Sequence, residues 1–223
     1  PCNKCFRMDK PAISVNGLTK SFGTKKALNN ISFDVLSGET VVITGANGSG
    51  KSTLINIIAD ISTADAGQIK IDGLTNDSIQ AKLKRGVVVQ EYRVERNFTG
   101  LDILLLQGAF YDLDYKYAKE RAYELLEFVG LLQYSGKEIY TYSTGMKKRL
   151  QIAKALIHNP SILLLDEPTA ELDRNIKNEV WGYLNKLKET TNLSVLITTH
   201  DSIESKKLGD RVLKLSNGSL SEI

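Results

Sequence analysis

Cysteine is nearly absent from this 223-residue chain, and the only two, Cys2 and Cys5, lie in the N-terminal stretch PCNKC. A C-x-x-C pair can supply half of a zinc site or form a redox pair, but zinc takes four ligands and no second pair occurs. We therefore expect no role for Cys2 and Cys5 in the main activity. Because the chain starts at Pro1 and its first Met is Met8, we interpret residues 1–11 as an N-terminal extension that is disordered or vector-derived. A chain otherwise free of cysteine suits a reducing cytosol.

Long hydrophobic runs are also lacking. The longest apolar stretches, such as Ile162–Leu165, have the length of strands, whereas a membrane-spanning helix needs about 20 apolar residues. No secretory signal is recognisable. We expect a protein that is soluble by itself and reaches a membrane only through a partner.

Charge of neither sign dominates. Lys and Arg total 29 against 26 Asp and Glu, and the net charge of +3 is too weak to favour a nucleic-acid partner. The hydrophobic content of 42% suffices for a sizeable core. The length fits one domain that has room for an inserted subdomain.

Short apolar runs alternate with longer amphipathic stretches, which is typical of an α/β fold. Runs within 12–35 and 67–73 are joined by short turns (NG, SG and DG), and this predicts an antiparallel β-subdomain. Nearly continuous apolar runs indicate strands of a parallel sheet that helices cover on both faces. The runs of this kind are Val41–Thr44, Ile162–Leu165 and Val195–Thr198.

Apolar residues recur at helical spacing over 115–134, which together with 101–111 predicts a helical insertion. We place this subdomain at about 92–158, inserted within one domain of residues 12–223. A further helix is predicted over 174–189.

Residues 45–53 read GANGSGKST, which fits the G-x-x-x-x-G-K-[ST] pattern of a phosphate-binding loop. The loop follows the apolar strand VVIT and leads into LINIIA, which reads as a helix, so the motif has the context it requires. Glycines let backbone N–H groups point at phosphate oxygens, backed by the helix N-terminus. Lys51 would reach the β- and γ-phosphates, and the Ser52 hydroxyl would bind Mg²⁺. The predicted nucleotide-binding residues of this loop are Asn47, Gly48, Ser49, Gly50, Lys51, Ser52 and Thr53.

A second motif, ILLLDEP at 162–168, ends an apolar strand in two carboxylates. Burying charge without a partner is costly, and the carboxyl ends of parallel strands face the crevice where ligands bind. We predict that Asp166 holds Mg²⁺ through water and that Glu167 is the general base for the attacking water. The two motifs together indicate a nucleoside triphosphatase, without saying which.

Tyr142–Leu150 reads YSTGMKKRL and resembles the signature motif, LSGGQ, of ATP-binding cassette (ABC) proteins. Further matches follow the order of that family: Gln90 at the Q-loop, AELD at 170–173 as the D-loop, His200 as the switch histidine, and Phe22 as the aromatic residue that stacks on adenine. The resemblance covers residues 12–223. It implies an α/β P-loop NTPase fold with a mainly parallel core sheet flanked by helices, an antiparallel β-subdomain and an inserted helical signature subdomain.

The resemblance also implies that two chains pair head to tail and sandwich two ATP molecules. Ser143, Thr144 and Gly145 would bind the γ-phosphate of the ATP on the second chain, and Asp173 would lie at that interface. The catalytic residues it implies are Lys51, Gln90, Glu167 and His200, and the Mg²⁺ ligands are Ser52, Gln90 and Asp166.

Three residues depart from the family pattern. Thr144 and Met146 replace a glycine and the glutamine of the signature, and Phe22 replaces the commoner tyrosine. Because every residue that the chemistry demands is present, we expect an active ATPase. His158 is interpreted as an ordinary residue at a helix end.

YSTGMKKRL, with FTGLDILLLQGAFYDLD upstream, is similar to the export subfamily typified by daunorubicin-resistance and sodium-export ATPases. The resemblance implies a homodimeric ATPase that powers a separate integral-membrane subunit from the cytoplasmic face of the cell membrane. The alternative is a non-transport cassette ATPase acting on ribosomes or DNA. Such proteins usually carry tandem cassettes or long coiled-coil insertions, and this sequence shows neither, so we expect no nucleic-acid partner.

Overall fold

The computed structural model describes residues 11–89, 97–170 and 172–223. Gln90, Cys2 and Cys5 lie outside the described residues. Of the predicted N-terminal extension only Pro11 is described, and it begins the first strand rather than preceding it.

One sheet is antiparallel, with the strand order β2-β1-β4-β5. Its strands are β1 Pro11–Phe22, β2 Lys25–Leu36, β4 Ala66–Ile71 and β5 Leu74–Thr75. The predicted antiparallel β-subdomain is therefore confirmed.

Only one of the three predicted turns joins neighbouring strands of this sheet. Asp72 and Gly73 connect β4 to β5 as expected. Gly17, of the NG pair, lies inside β1 where the register with β2 shifts, because a strand can take up an extra residue as a bulge. The SG pair is Ser37 and Gly38, which connect β2 to the first strand of a second sheet.

The second sheet has six strands in the order β10-β9-β3-β8-β7-β6. All neighbours are parallel except β9 and β10. The strands are β3 Thr40–Thr44, β6 Arg85–Val88, β7 Ile162–Asp166, β8 Ser194–Thr199, β9 Arg211–Ser216 and β10 Ser219–Glu222. The last two strands were not predicted, because the residues of β9 alternate between buried and exposed from Leu213 onward and give no continuous apolar run.

Helices cover both faces of the parallel sheet. They are α1 Lys51–Ile58, α2 Ile79–Leu83, α3 Gly100–Phe110, α4 Tyr115–Phe128, α5 Thr144–Leu156, α6 Arg174–Thr190 and α7 Ser202–Leu208. The predicted helical stretch over 115–134 is interrupted at Gly130, which has a positive φ, and resumes as a 3₁₀ turn at Leu132–Tyr134. No helix within the described ranges is both long and apolar enough to cross a bilayer.

Successive residues of the parallel strands point into two different cores. Val41 and Ile43 pack with α1 and the antiparallel sheet, whereas Val42 packs with Leu163 and Leu165 against the helices of the opposite face. Because both faces are buried, these strands read as continuous apolar runs in the sequence.

Candidate functional site

The site lies at the carboxyl edge of the six-stranded sheet. There β8 lies between β3 and β7, and the register pairs Thr44 with Thr199 and Asp166 with Thr198. The loop after β3, the carboxylates that end β7 and the histidine that follows β8 therefore converge. These residues are far apart in the chain, and the strand order brings them together.

A cavity of about 590 Å³ opens at this edge. This volume is in the usual range for a small-molecule site. Nine predicted site residues line the cavity: Phe22, Asn47, Gly48, Gly50, Lys51, Ser52, Thr53, Glu167 and His200. Ser49 lines a neighbouring cavity instead. Sequence reasoning missed three lining residues, Lys25, Ala27 and Ala170.

Phe22 ends β1 and is 57% exposed at the cavity wall. The Lys20 ammonium lies 5.7 Å from the centre of the Phe22 ring. A large aromatic ring left open to solvent at a cavity offers a flat apolar face on which a planar base can stack.

The Lys51 ammonium is buried among oxygen atoms. Its Nζ donates to the carbonyl oxygens of Gly45 at 2.9 Å and Ala46 at 3.1 Å, and it lies 3.2 Å from Glu167 Oε1. Lys51 and Glu167 are both only 5% exposed. Burial of this pair is tolerated because each charge has partners.

Glu167 also contacts the predicted switch histidine. Its Oε2 lies 2.5 Å from His200 Nδ1, which carries the proton of this hydrogen bond because a carboxylate only accepts. The backbone of Glu167 has φ 49°, which is uncommon for a non-glycine residue and clusters at functional sites. The Glu167 N–H holds this conformation by donating to the carbonyl oxygen of Thr198 at 3.1 Å.

Thr198 contacts the Asp166 carboxylate and the Glu167 backbone, and sequence reasoning missed it. Its hydroxyl donates to Asp166 Oδ1 at 2.6 Å, and it also lies 3.3 Å from the Glu167 N–H. Thr198 is fully buried. The available signal was a polar residue ending the apolar strand VLITTH.

Two of the predicted Mg²⁺ ligands lie among the described residues, and both offer oxygen atoms that suit this ion. Ser52 lies in the first turn of α1 and lines the cavity, and Asp166 ends β7 directly before the lining residue Glu167. Hydroxyl and carboxylate oxygens are hard ligands, and Mg²⁺ commonly takes one or two from the protein and the rest from phosphates and water. The third predicted ligand, Gln90, lies outside the described residues.

The residues predicted to act on a second chain do not line this cavity. Ser143 is the N-cap of α5, and its hydroxyl accepts from the Met146 N–H at 3.2 Å. Asp173 is the N-cap of α6, where its carboxylate accepts from two backbone N–H groups. The two helix N-termini lie side by side, since a Cβ at Gly145 would come within 2.4 Å of Ile176 Cγ2.

An ion pair anchors the start of α7 to α6. Lys177 Nζ lies 2.8 Å from Asp201 Oδ2, and this hydrogen bond holds the pKa of Asp201 below its ordinary value. Asp201 is the N-cap of α7 and directly follows His200. The pair therefore links the histidine loop to α6, the helix that Asp173 caps.

The fold and the site define an α/β P-loop nucleoside triphosphatase. The protein-family model described as "ABC transporter" matches residues 28–170. The chain belongs to the ABC transporter family: it is an ATP-binding subunit, and the ATP-binding domains of this family are ATPases that dimerise and work with membrane subunits. This finding favours a transporter over the non-transport alternative.

Relatives of both transport directions resemble the chain. The linearmycin resistance ATP-binding protein of Bacillus subtilis is 35% identical over 93% of this chain and 67% of its own length. A Nod factor export ATP-binding protein of a Rhizobium species is 36% identical over 95% and 70%. A sulfate/thiosulfate import ATP-binding protein of Burkholderia mallei is 33% identical over 95% and 62%. The chain thus spans 62% to 70% of the length of these relatives.

A solved structure shares the fold throughout. The bacterial ABC transporter cassette MJ0796, solved as a dimer, matches with a TM-score of 0.84 at 28% identity and covers 94% of this chain and 98% of that chain.

Proposed function

We propose that this chain is the Mg-ATP-hydrolysing subunit of an exporter, working as a head-to-tail homodimer on an integral-membrane subunit at the cytoplasmic face of the membrane. The observation that carries the proposal is the contact of Glu167 with both Lys51 and His200 in the cavity that Phe22 and the phosphate-binding loop line. The resistance and export relatives support the outward direction, and the YSTGM form of the signature agrees with it.

In this mechanism Lys51 exchanges the carbonyl oxygens of its own loop for the β- and γ-phosphates. Ser52, Asp166 and Gln90 would hold Mg²⁺, which when bound would supply positive charge to balance the charge that develops on the phosphates. Glu167 then retains His200 as its partner and accepts a proton from the attacking water. His200 holds the Glu167 carboxylate in place and contacts the γ-phosphate.

The second half of each site comes from the partner chain in this proposal. Ser143, Thr144 and Gly145 present the N-terminus of α5, where backbone N–H groups and the helix dipole favour a phosphate. Asp173 presents the N-terminus of α6 beside it. The absence of these four residues from the lining of the chain's own cavity supports a role in trans.

The experiment uses the chain with Glu167→Gln, loaded with Mg-ATP, as bait in native membranes. Without its general base the variant should bind ATP and dimerise, while turnover falls by about 10²–10⁴. Recovery of a multi-spanning membrane protein supports the transporter and names its membrane subunit. Recovery of ribosomes or nucleic-acid factors alone would contradict it, and a variant that hydrolyses ATP at the normal rate would refute Glu167 as base.

Direction is tested in inside-out vesicles that contain the captured membrane subunit and this chain, with linearmycin as the first probe. ATP-dependent accumulation inside the vesicles supports export. ATP-dependent loss from preloaded vesicles would instead show import. The matched control contains Lys51→Ala, which should abolish either movement because the phosphate-binding ammonium is missing.

A further inference from the structure

A buried carboxylate near the site has no part in the mechanism above. Glu204 lies in α7, four residues after His200, and is only 1% exposed. A carboxylate at such depth is costly unless hydrogen bonds compensate for the lost water. Its partners therefore indicate what it holds together.

One oxygen atom of Glu204 receives two side-chain hydrogen bonds. The Thr169 hydroxyl donates to Oε1 at 2.7 Å, and the Trp181 indole Nε1–H donates to the same atom at 2.9 Å. Thr169 is 1% exposed and Trp181 is 4% exposed. Hydrogen bonds to a charged acceptor that water does not reach are among the stronger ones in proteins.

The three side chains come from three segments that each carry a proposed site residue. Thr169 lies two residues after Glu167, in a turn closed by a hydrogen bond from the Ala170 N–H to the Glu167 carbonyl oxygen at 3.1 Å. Trp181 lies in α6, the helix that Asp173 caps. Glu204 lies in the helix that follows His200.

These hydrogen bonds complete a closed loop of contacts around the catalytic pair. On one side Glu167 and His200 meet through their side chains at 2.5 Å. On the other side Thr169 and Glu204 join the chain segments that follow those two residues. Because the left-handed backbone of Glu167 persists only where surrounding contacts fix it, the turn at Thr169 needs such an anchor.

We infer that Glu204 is a positioning residue for catalysis: through Thr169 and Trp181 it holds the turn after Glu167 at a fixed distance from the helix after His200. The inference rests on the proposed role of Glu167 as general base. Glu204 touches neither nucleotide nor water in this scheme. It acts by keeping the Glu167 carboxylate where it can reach the attacking water, and small displacements of a catalytic group cost rate.

The test removes the Thr169 hydrogen bond and keeps the shape of the side chain. Thr169→Val should lower kcat by at least about tenfold while the Kd for ATP stays within about twofold, since misplacement of the base affects the chemical step. Thr169→Ser keeps the hydroxyl and should restore most of kcat. Trp181→Phe keeps an aromatic ring, although a smaller one, loses the N–H and should also lower kcat.

A matched control separates positioning from general loss of stability. Ser194, 2% exposed, accepts a hydrogen bond from the Gly38 N–H at 2.9 Å at the start of β8, the strand end opposite to His200. Ser194→Ala should lower the melting temperature about as much as Thr169→Val and leave kcat unchanged. If both variants lower kcat equally, or if Thr169→Val leaves kcat unchanged, the inference is wrong.

A double variant distinguishes this inference from the proposed function. Glu167→Gln alone should abolish most turnover, and if it does not, the assignment of the base fails whatever Thr169 does. If Glu167→Gln does abolish most turnover, adding Thr169→Val to it should cause no further loss of kcat, because the effects of residues that act through one group are not additive. A further tenfold loss in that background would show that Thr169 and Glu204 act independently of Glu167.

Discussion

At the scale of single residues, two partners hold the Glu167 carboxylate, the buried Lys51 on Oε1 and the exposed His200 on Oε2. A nucleotide phosphate that draws Lys51 away removes one of these partners and leaves the other. In the proposed mechanism, binding of the substrate would thereby release one oxygen of the Glu167 carboxylate for water, while His200 still fixes its orientation.

Gly145 shows how tightly the signature helix packs against α6. A Cβ on Gly145 would meet Ile176 Cγ2 at 2.4 Å, a distance that real Cβ atoms do not tolerate. We predict that Gly145→Ala destabilises the chain by about 1–3 kcal/mol, the usual cost of overpacking. Urea unfolding measures this change. Ile176→Ala in the same chain should remove the clash, so the double variant should be more stable than the sum of the two single effects.

Gly182 provides the control for Gly145→Ala. It lies inside α6, and a Cβ there would meet nothing within 4 Å. Gly182→Ala should stabilise the chain by about 0.5–1 kcal/mol, because alanine favours helix more than glycine does. Equal effects of the two substitutions on stability would contradict the close approach at Gly145.

At the scale of secondary-structure elements, a ring stack ties the end of α3 to the end of α5. The Tyr111 and His158 rings lie 3.7 Å apart and are nearly parallel, at 5°. His158 Nε2 donates to the Arg85 carbonyl oxygen at 3.2 Å, while Nδ1 is buried and has no hydrogen-bond partner among the described residues. His158 directly follows the C-cap of α5, as predicted, but sequence spacing gave no sign of Tyr111 as its partner.

The burial of His158 predicts that the chain is sensitive to acid. Burial lowers the pKa of His158 from 6.5 to about 4. Between these values the unfolded chain binds a proton that the folded chain does not, so stability is retained above pH 6.5 and falls as the pH drops toward 4. The variant His158→Phe keeps a stacking ring and cannot titrate.

Urea unfolding of both chains at pH 7.5, 6.5, 5.5 and 4.5 measures this effect. The wild type should lose more stability than His158→Phe over the acid steps, and the gap should widen as the pH falls. Parallel curves for the two chains would show that His158 titrates normally in the folded state.

At the scale of the whole molecule, the proposed dimer predicts that defects on different chains complement each other. Lys51→Ala removes the ammonium that we propose binds the phosphates. Ser143→Asp keeps an N-cap acceptor for α5 but places a negative charge where the γ-phosphate of the partner chain's ATP would lie. Each variant alone should have little ATPase activity.

Mixing the two variants tests the prediction. In a mixed dimer one site combines Lys51 of the Ser143→Asp chain with Ser143 of the Lys51→Ala chain, so activity should reappear. Ser143→Asn, which also caps helices but carries no charge, should be far more active than Ser143→Asp. If the mixture is as inactive as its components, each site is built from a single chain.

Local patterns predicted much of this molecule. Most of the phosphate-binding loop and Glu167 of ILLLDEP line the same cavity, as the order of apolar strands and motifs indicated. The predicted helix over 174–189 is observed at Arg174–Thr190. The weaker predictions concerned turns, because Gly17 fits a bulge as well as a hairpin and the surrounding register decides between them.

The sequence by itself determined the chemistry and the fold class, because both depend on residues that are neighbours in the chain. These are the glycines and Lys51 of the phosphate-binding loop, and the runs of apolar residues that become strands buried on both faces. Only the tertiary structure decided that Thr198 hydrogen-bonds Asp166 and Glu167, and that Glu204 accepts hydrogen bonds from Thr169 and Trp181. All four hydrogen bonds join residues more than twenty positions apart. They depend on strand order, register and helix packing, which cannot be predicted from the local periodicity of apolar residues.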